Sequence, residues 1–261
     1  MKKIVAILTM MILAAHVFGA GARTGKPRDL ITVERTVGKF NKIKVSGPVE
    51  LIVVTGKEQK VAITCDSKNL HTVETTVNNG ELNIAVTGVI KLKNISESYK
   101  VEVWVEDLKS LTASGLSNVI FPEKTTVENF SITSSGVSKT TFDDLVASGR
   151  LSVEINGASH LDIKGQADRA IFEGTGACNL SFTGKANSIS LELSGAGKTT
   201  ISAETERLDI EASGACKVTL SGNTKALSLE ASGATSVKSE KFKAENRQVS
   251  FSGAAKITIV D

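Results

Sequence analysis

Ile189-Ser190-Leu191-Glu192-Leu193-Ser194-Gly195-Ala196 is followed by Leu208-Asp209-Ile210-Glu211-Ala212-Ser213-Gly214-Ala215, and then by Leu227-Ser228-Leu229-Glu230-Ala231-Ser232-Gly233-Ala234. The central Ser, Thr or Asn followed by Gly recurs at Gly115, Gly136, Gly157, Gly176, Gly195, Gly214, Gly233 and Gly253, in steps of 21, 21, 19, 19, 19, 19 and 20 residues. Apolar residues alternate with polar ones on both sides of each Gly. Four positions before it stand Leu111, Ile132, Val153, Phe172, Leu191, Ile210, Leu229 and Val249, and six after it Phe121, Phe142, Ile163, Phe182, Ile201, Leu220 and Ile259. A period of two means β-strand with one buried face. A repeat near 19 residues means stacked units, each too small to bury a core alone.

The pattern predicts an all-β chain whose residues 111–261 form a right-handed parallel β-helix, a solenoid with coils of about 19–21 residues. Parallel crossovers nearly always take that hand. Each coil is expected to be strand, Ser-Gly-Ala corner, strand, with a second turn at the small residue eight after the Gly (Gly165, Gly184, Ala203, Gly222). Glycine permits the corner's backbone conformation, and the preceding Ser, Thr or Asn is placed to bond the turning backbone.

Residues 30–110 are β-rich but irregular, and are expected to begin or cap the solenoid. Candidate strands are Ile31–Val37, Lys42–Ser46, Val49–Thr55, Lys60–Cys65, Val73–Val77, Glu81–Val86 and Tyr99–Glu106, with Asn79-Gly80 as a hairpin turn. Gly47 occupies the position of a first corner. Residues 1–22 have the form of a secretory signal peptide: Lys2 and Lys3, an apolar run from Ile4 to Phe18, and Ala20-Gly21-Ala22 as the cleavage site. Residues 23–29 are a linker. The expected location is therefore outside the cytoplasm, in the periplasm or at the cell surface. No later stretch is long and apolar enough to span a bilayer as a helix.

Without Lys2 and Lys3 the formal charge falls from +3 to +1, which gives no electrostatic case for nucleic acid. Of the three cysteines, Cys178 and Cys216 share a column that also holds Ser117, Ser138, Ser159 and Gly197. They lie two coils apart, about 9.5 Å by strand spacing, too far for a disulfide. Both are expected to be buried free thiols.

Phe40-x-x-Ile43-x-Val45-x-Gly47, Val49-x-Leu51-x-Val53, Asn79-Gly80-Glu81-Leu82-x-Ile84 and the repeated Ser-Gly-Ala turns together resemble the auto-transporter adhesin, head GIN domain, family. The resemblance covers nearly all of the chain after the leader. It implies an exported Bacteroidetes-type β-helical protein and supplies no catalytic residues.

Two outward columns are the candidate sites. Three residues before each Gly stand Glu154, Glu173, Glu192, Glu211 and Glu230. Five carboxylates one coil apart form either a solvated face or a strip for a ligand or a divalent cation such as Ca2+, which takes several oxygens. Three after each Gly stand Asn118, Lys139, His160, Asn179, Lys198, Lys217, Ser236 and Lys256, a basic-to-polar column. His71 and His160 have no zinc-ligand spacing to any Cys. Asp143-Asp144 is expected to cap a turn. These features favour a non-enzymatic, adhesin-like cell-envelope protein that binds a glycan or protein partner through a flat face. The alternative is a carbohydrate-active β-helix enzyme of the polysaccharide lyase or glycosidase type. The last strand, Lys256 to Val260, is expected to leave an open edge that invites weak self-association.

Overall fold

The computed structural model describes residues 29–87 and 99–258; the predicted leader and the end of the predicted strand Lys256 to Val260 lie outside the described residues. The strands are β1 (Leu30–Arg35), β2 (Lys42–Ser46), β3 (Val49–Thr55), β4 (Lys60–Asp66), β5 (Val73–Asn78), β6 (Glu81–Val86), β7 (Tyr99–Val105), β8 (Ser110–Ser114), β9 (Asn118–Phe121), β10 (Thr125–Val127) and β11 (Phe130–Ser134). There follow β12 (Lys139–Gly157), β13 (His160–Gly176), β14 (Asn179–Gly195), β15 (Lys198–Gly214), β16 (Lys217–Ala231), β17 (Ser236–Phe251) and β18 (Lys256–Thr258). Successive coils pair in parallel from β8–β9 to β18, giving a β-solenoid of about eight turns.

The registers are those of the repeat. Glu173 pairs with Glu192, Gly176 with Gly195 and Lys198 with Lys217. Residues of the alternating apolar columns are buried except at Val249, and Ile43, Leu111, Ile132, Leu161, Phe172, Val218 and Leu229 are wholly inaccessible. Phe121 and Phe142 stack at 4.1 Å between centroids, with Phe130 edge-on to both. The corner glycines lie one upon another: a Cβ built on Gly195 would fall 2.4 Å from the Gly176 carbonyl oxygen, and one on Gly214 would fall 2.5 Å from that of Gly195. Side chains of even one carbon do not fit this column, which explains its composition.

The second turn falls at the expected residues, but as a bend of the ladder. The ladder does not break at Gly165, Gly184, Ala203 and Gly222 but bends through them, so β12 to β17 each run 15–19 residues. Beyond the bend a short third face carries its own inward column, Ala147, Ala167, Ala186, Thr205 and Thr224, all buried. Asp143-Asp144 does not cap a turn. It lies inside β12 at a register shift between Phe142 and Leu145, and Asp143 faces Lys164 at 3.9 Å.

The N-terminal strands stack out of chain order. β2–β3 is the coil beneath β8–β9, with Gly115 seated on Gly47. On its other side β2 pairs with β6 and β3 with β7, both in parallel. β5 then pairs antiparallel to β6, β4 antiparallel to β7, and β1 antiparallel to β4. Asn79 and Gly80, at φ 49° and 73°, make the β5–β6 turn. Arg35 fastens this layer: its guanidinium donates to Val73 O at 2.7 Å, Thr75 Oγ1 at 2.9 Å and Leu70 O at 3.4 Å. Burial lowers the Arg35 pKa.

Candidate functional site

A flat face lies between the short third face and the Ser-Gly corner. Its outward residues alternate with the buried columns, and the pairing register sets them in rows across the coils. Glu154, Glu173, Glu192, Glu211 and Glu230 are all exposed and stand directly in line, Glu to Glu. Successive members are one strand spacing apart, about 4.8 Å. Thr133 precedes the row and Ser250 ends it.

The structure brings a second row against the first. Ser194, Ser213 and Ser232, immediately before the corner glycines, join Glu192, Glu211 and Glu230 in lining a shallow groove of about 380 Å³. Leu193, Ala212 and Ala231 form its floor and Phe251 closes its end. The corner hydroxyls do more than steady their own turns. Ser114 Oγ donates to Val45 O and Ser213 Oγ to Leu193 O, both at 3.3 Å, so they tie each coil to the one beneath. At the earlier coils Asn156 Nδ2 donates to Glu154 Oε1 at 2.8 Å, and Thr175 Oγ1 donates to Asn156 Oδ1. Glu154 thus has a neutral partner.

A third row was not singled out from the sequence. Four residues before the Glu row, on the same face, Arg150, Arg169 and Arg207 are exposed and share one column with Ser188. Four residues of strand span about 13 Å, so this face is basic along one margin and acidic along the other. Arg207 is held charged by a 2.6 Å bond to Asp209, the residue between the two rows. The signal was present in the repeat, but Ser188 and Ala226 interrupt the column, and a broken column is hard to distinguish from scattered surface charge.

Among the described residues no three of His, Cys, Asp or Glu are grouped so as to hold a metal ion. The Glu row is a line and not a cage. The basic column after each corner is also in register, with Lys139 beside His160, Asn179 beside Lys198, and Lys198 beside Lys217. It faces away on the far side of the Gly corner. The short third face is neutralised internally by Lys185–Glu204 and Lys225–Glu206 ion pairs, each 2.6 Å, and by Asn187 bonded to Asp168.

Cys178 and Cys216 are buried free thiols inside the corner, as is Cys65 in the N-terminal layer. Cys178 fits because two neighbours are glycine: a Cβ on Gly174 or Gly197 would lie 2.9 or 3.0 Å from its sulfur. Cys216 Sγ donates to Ser213 O at 3.1 Å. Burial pushes all three thiol pKa values up. Further along the same interior column stand Ser138 and Ser159, and with Ser134 from the opposite side of the corner they form a hydroxyl chain, linked at 2.7 and 3.2 Å.

No helix among the described residues is long and apolar enough to cross a membrane. No functionally curated protein matches the sequence. Several solved structures share the fold at low identity. A protein described as a putative lipid binding protein from Parabacteroides distasonis aligns with a TM-score of 0.66 at 16% identity, over 89% of this chain and 97% of its own. A putative adhesin from Parabacteroides merdae gives 0.63 at 17%, over 89% and 97%, and one from Bacteroides fragilis 0.60 at 18%, over 92% and 100%. The family described as "putative auto-transporter adhesin, head GIN domain" matches residues 39–182 and 171–261, nearly the whole solenoid with its N-terminal layer, and this chain belongs to that family.

Proposed function

We propose that this is a non-enzymatic exported protein of the cell envelope, adhesin-like, which binds a polymeric partner along the Glu–Ser face. The observation that carries the proposal is that the Glu row and the Ser row run side by side, each in register over successive coils. A site that repeats every 4.8 Å or so suits a partner that also repeats: a glycan with many hydroxyl and amino groups, or an extended basic segment of a protein. Like charges in a row repel one another, and a partner with cationic groups relieves that repulsion. The groove is shallow, and its lining includes no basic residue opposite the carboxylates. Its carboxylates stand in one line on one side, and that geometry favours adhesion over acid–base cleavage of a glycosidic bond, which needs carboxyl groups on both sides of the scissile bond. Family membership and the fold shared with structures described as adhesins support export and adhesion.

The test is a glycan array together with basic and neutral peptides, using wild type and a Glu192→Gln/Glu211→Gln/Glu230→Gln variant. Binding that weakens at least tenfold in the variant and falls with salt is expected. Release of reducing ends or unsaturated sugar from a bound polysaccharide would move the function to catalysis. Co-sedimentation with liposomes in place of polymer binding would move the site to the exposed apolar corner at Leu116 and Val137.

A further inference from the structure

The stretches that leave each Ser-Gly-Ala corner form a second flat face, on the far side of the Gly corner from the Glu–Ser groove. Their inward residues anchor it: Leu180, Phe182, Ile201, Val218, Leu220 and Val237 are buried. The outward residues change character along the stack. In the earlier coils acid and base are mixed: Asp143 lies 3.9 Å from Lys164, and Asp162 stands between His160 and Lys164 on β13. From Asn179 to Lys238 the outward positions of this face hold no carboxylate. The next one is Glu240, at the register shift of β17.

Between those limits the face carries hydroxyls bordered by lysines. Ser181, Thr200 and Thr219 form one row in register, and Thr183, Ser202 and Ser221 a second, about 7 Å along the strands. The Ser202 and Ser221 hydroxyls bond each other at 2.7 Å. Those of Ser181, Thr200 and Thr219 have no partner among the described residues. Lys198 and Lys217 stand side by side at one margin, and Lys238 pairs in register with Thr219. All three lysines are exposed, and none forms an ion pair among the described residues. Lys198 and Lys217 start about 4.8 Å apart, so their ammonium groups repel.

We propose that this face binds an acidic glycan, a linear polysaccharide bearing sulfate or carboxylate groups, laid across the coils. Its anions sit over Lys198, Lys217 and Lys238, and its hydroxyls meet the Ser and Thr rows. An ammonium group is a compact point charge that accepts either anion without a fixed fork geometry. A Ser or Thr hydroxyl both donates and accepts, as a sugar hydroxyl does. Single-stranded nucleic acid is held by aromatic side chains that stack on its bases, and no aromatic residue points outward here. A lipid surface is entered by apolar side chains, and the outward residues between Asn179 and Lys238 are all polar. Charge complementarity therefore selects a hydroxyl-rich polyanion. This surface is separate from the Glu–Ser groove and opposite to it in sign, so one chain presents two faces for chemically opposite partners.

Fluorescence anisotropy tests this with a labelled heparin-type oligosaccharide, a labelled oligogalacturonate and labelled dextran, starting at about 50 mM salt. The wild type is expected to bind the acidic glycans and not dextran, and the tighter of the two identifies the anion. Lys198→Gln/Lys217→Gln/Lys238→Gln is expected to bind at least tenfold more weakly. Its slope of log affinity against log salt should be shallower by about 2, since each lost contact removes a released counterion. Thr219→Glu, which sets a carboxylate among the lysines, is expected to weaken binding with every lysine in place. Glu192→Gln/Glu211→Gln/Glu230→Gln is expected to retain it, which separates this face from the Glu–Ser groove. A wild type that binds neither acidic glycan overturns the proposal, as does binding that survives the lysine variant with its salt slope unchanged. Loss in the Glu variant in place of the lysine variant would also overturn it, as would equal or tighter binding of single-stranded DNA or of phosphatidylglycerol vesicles.

Discussion

Replacing Gly214 with alanine tests the stacking of corners that holds the solenoid together. Two costs are expected there, and Gly56 separates them. Gly214 has φ +91° and Gly56 φ +73°, so alanine in either position must adopt a left-handed conformation, at roughly 1–2 kcal/mol. Around Gly56 the space is open, with nothing within 4 Å of the added carbon. At Gly214 that carbon would lie 2.5 Å from the Gly195 carbonyl oxygen and 3.0 Å from its nitrogen. Both are rigid backbone atoms, so the coils must separate by most of an ångström, and overpacking of this kind costs about 1–3 kcal/mol more. The smaller entropy of the unfolded alanine chain is common to both variants and cancels. At about 2–4 °C per kcal/mol for a chain of this length, a 2 kcal/mol gap makes Gly214→Ala melt about 4–8 °C below Gly56→Ala. Thermal unfolding followed by circular dichroism reads this directly. Equal losses in the two variants would show that glycine is required in the column for its φ alone and that close stacking contributes nothing.

The Glu row predicts a salt-dependent stability: Glu211→Gln removes two neighbour repulsions, each about 0.9 kcal/mol at most in unscreened water and roughly halved at physiological salt. That variant should melt higher than wild type at low ionic strength and converge with it in 1 M NaCl; a gap that persists in salt would point to packing. If calcium serves the row, titration calorimetry should show weak heat that Glu192→Gln/Glu211→Gln abolishes, and heat retained in that variant would place the ion elsewhere. The three buried thiols have pKa values raised by burial, so the unfolded chain loses thiol protons first as pH rises. The contribution of the neutral thiols is therefore complete below the unfolded value of about 8.5 and declines above it, through the folded values. A Cys65→Ala/Cys178→Ala/Cys216→Ala variant should lose stability less steeply between neutral and alkaline pH in denaturant titrations; parallel pH profiles would count against this. Arg35→Ala leaves the Leu70 and Val73 carbonyls without their donor and should cost about 2–3 kcal/mol, with proteolysis beginning in the N-terminal layer; cleavage first within β12–β17 would contradict the role assigned to Arg35.

What the sequence determined by itself is everything that follows from a local period. Strict alternation on both sides of each Gly identified the strands, their buried columns and the outward Glu and Lys columns. A repeat of constant length then aligned Glu154 through Glu230, because coils of equal length stack in register. Gly174 and Gly197 show the limit of that logic. They look like breaks in the pattern, and only the packed interior reveals that they make room for the Cys178 sulfur. The small residues at Gly165 and Gly184 marked where the chain turns a second time, but the same limit hid that the ladder continues through the turn, since a ladder that bends without breaking leaves no mark on the period-two alternation. Tertiary structure alone decided that β6–β7 lies beneath β2–β3, although it follows them in the chain, because that order depends on which edge β4 and β5 are left to cover. It also decided that Val249 and Phe251, apolar residues in core columns, stand exposed. A column assigns a side chain to the inside of a coil; whether another coil lies above it is a property of the assembled stack.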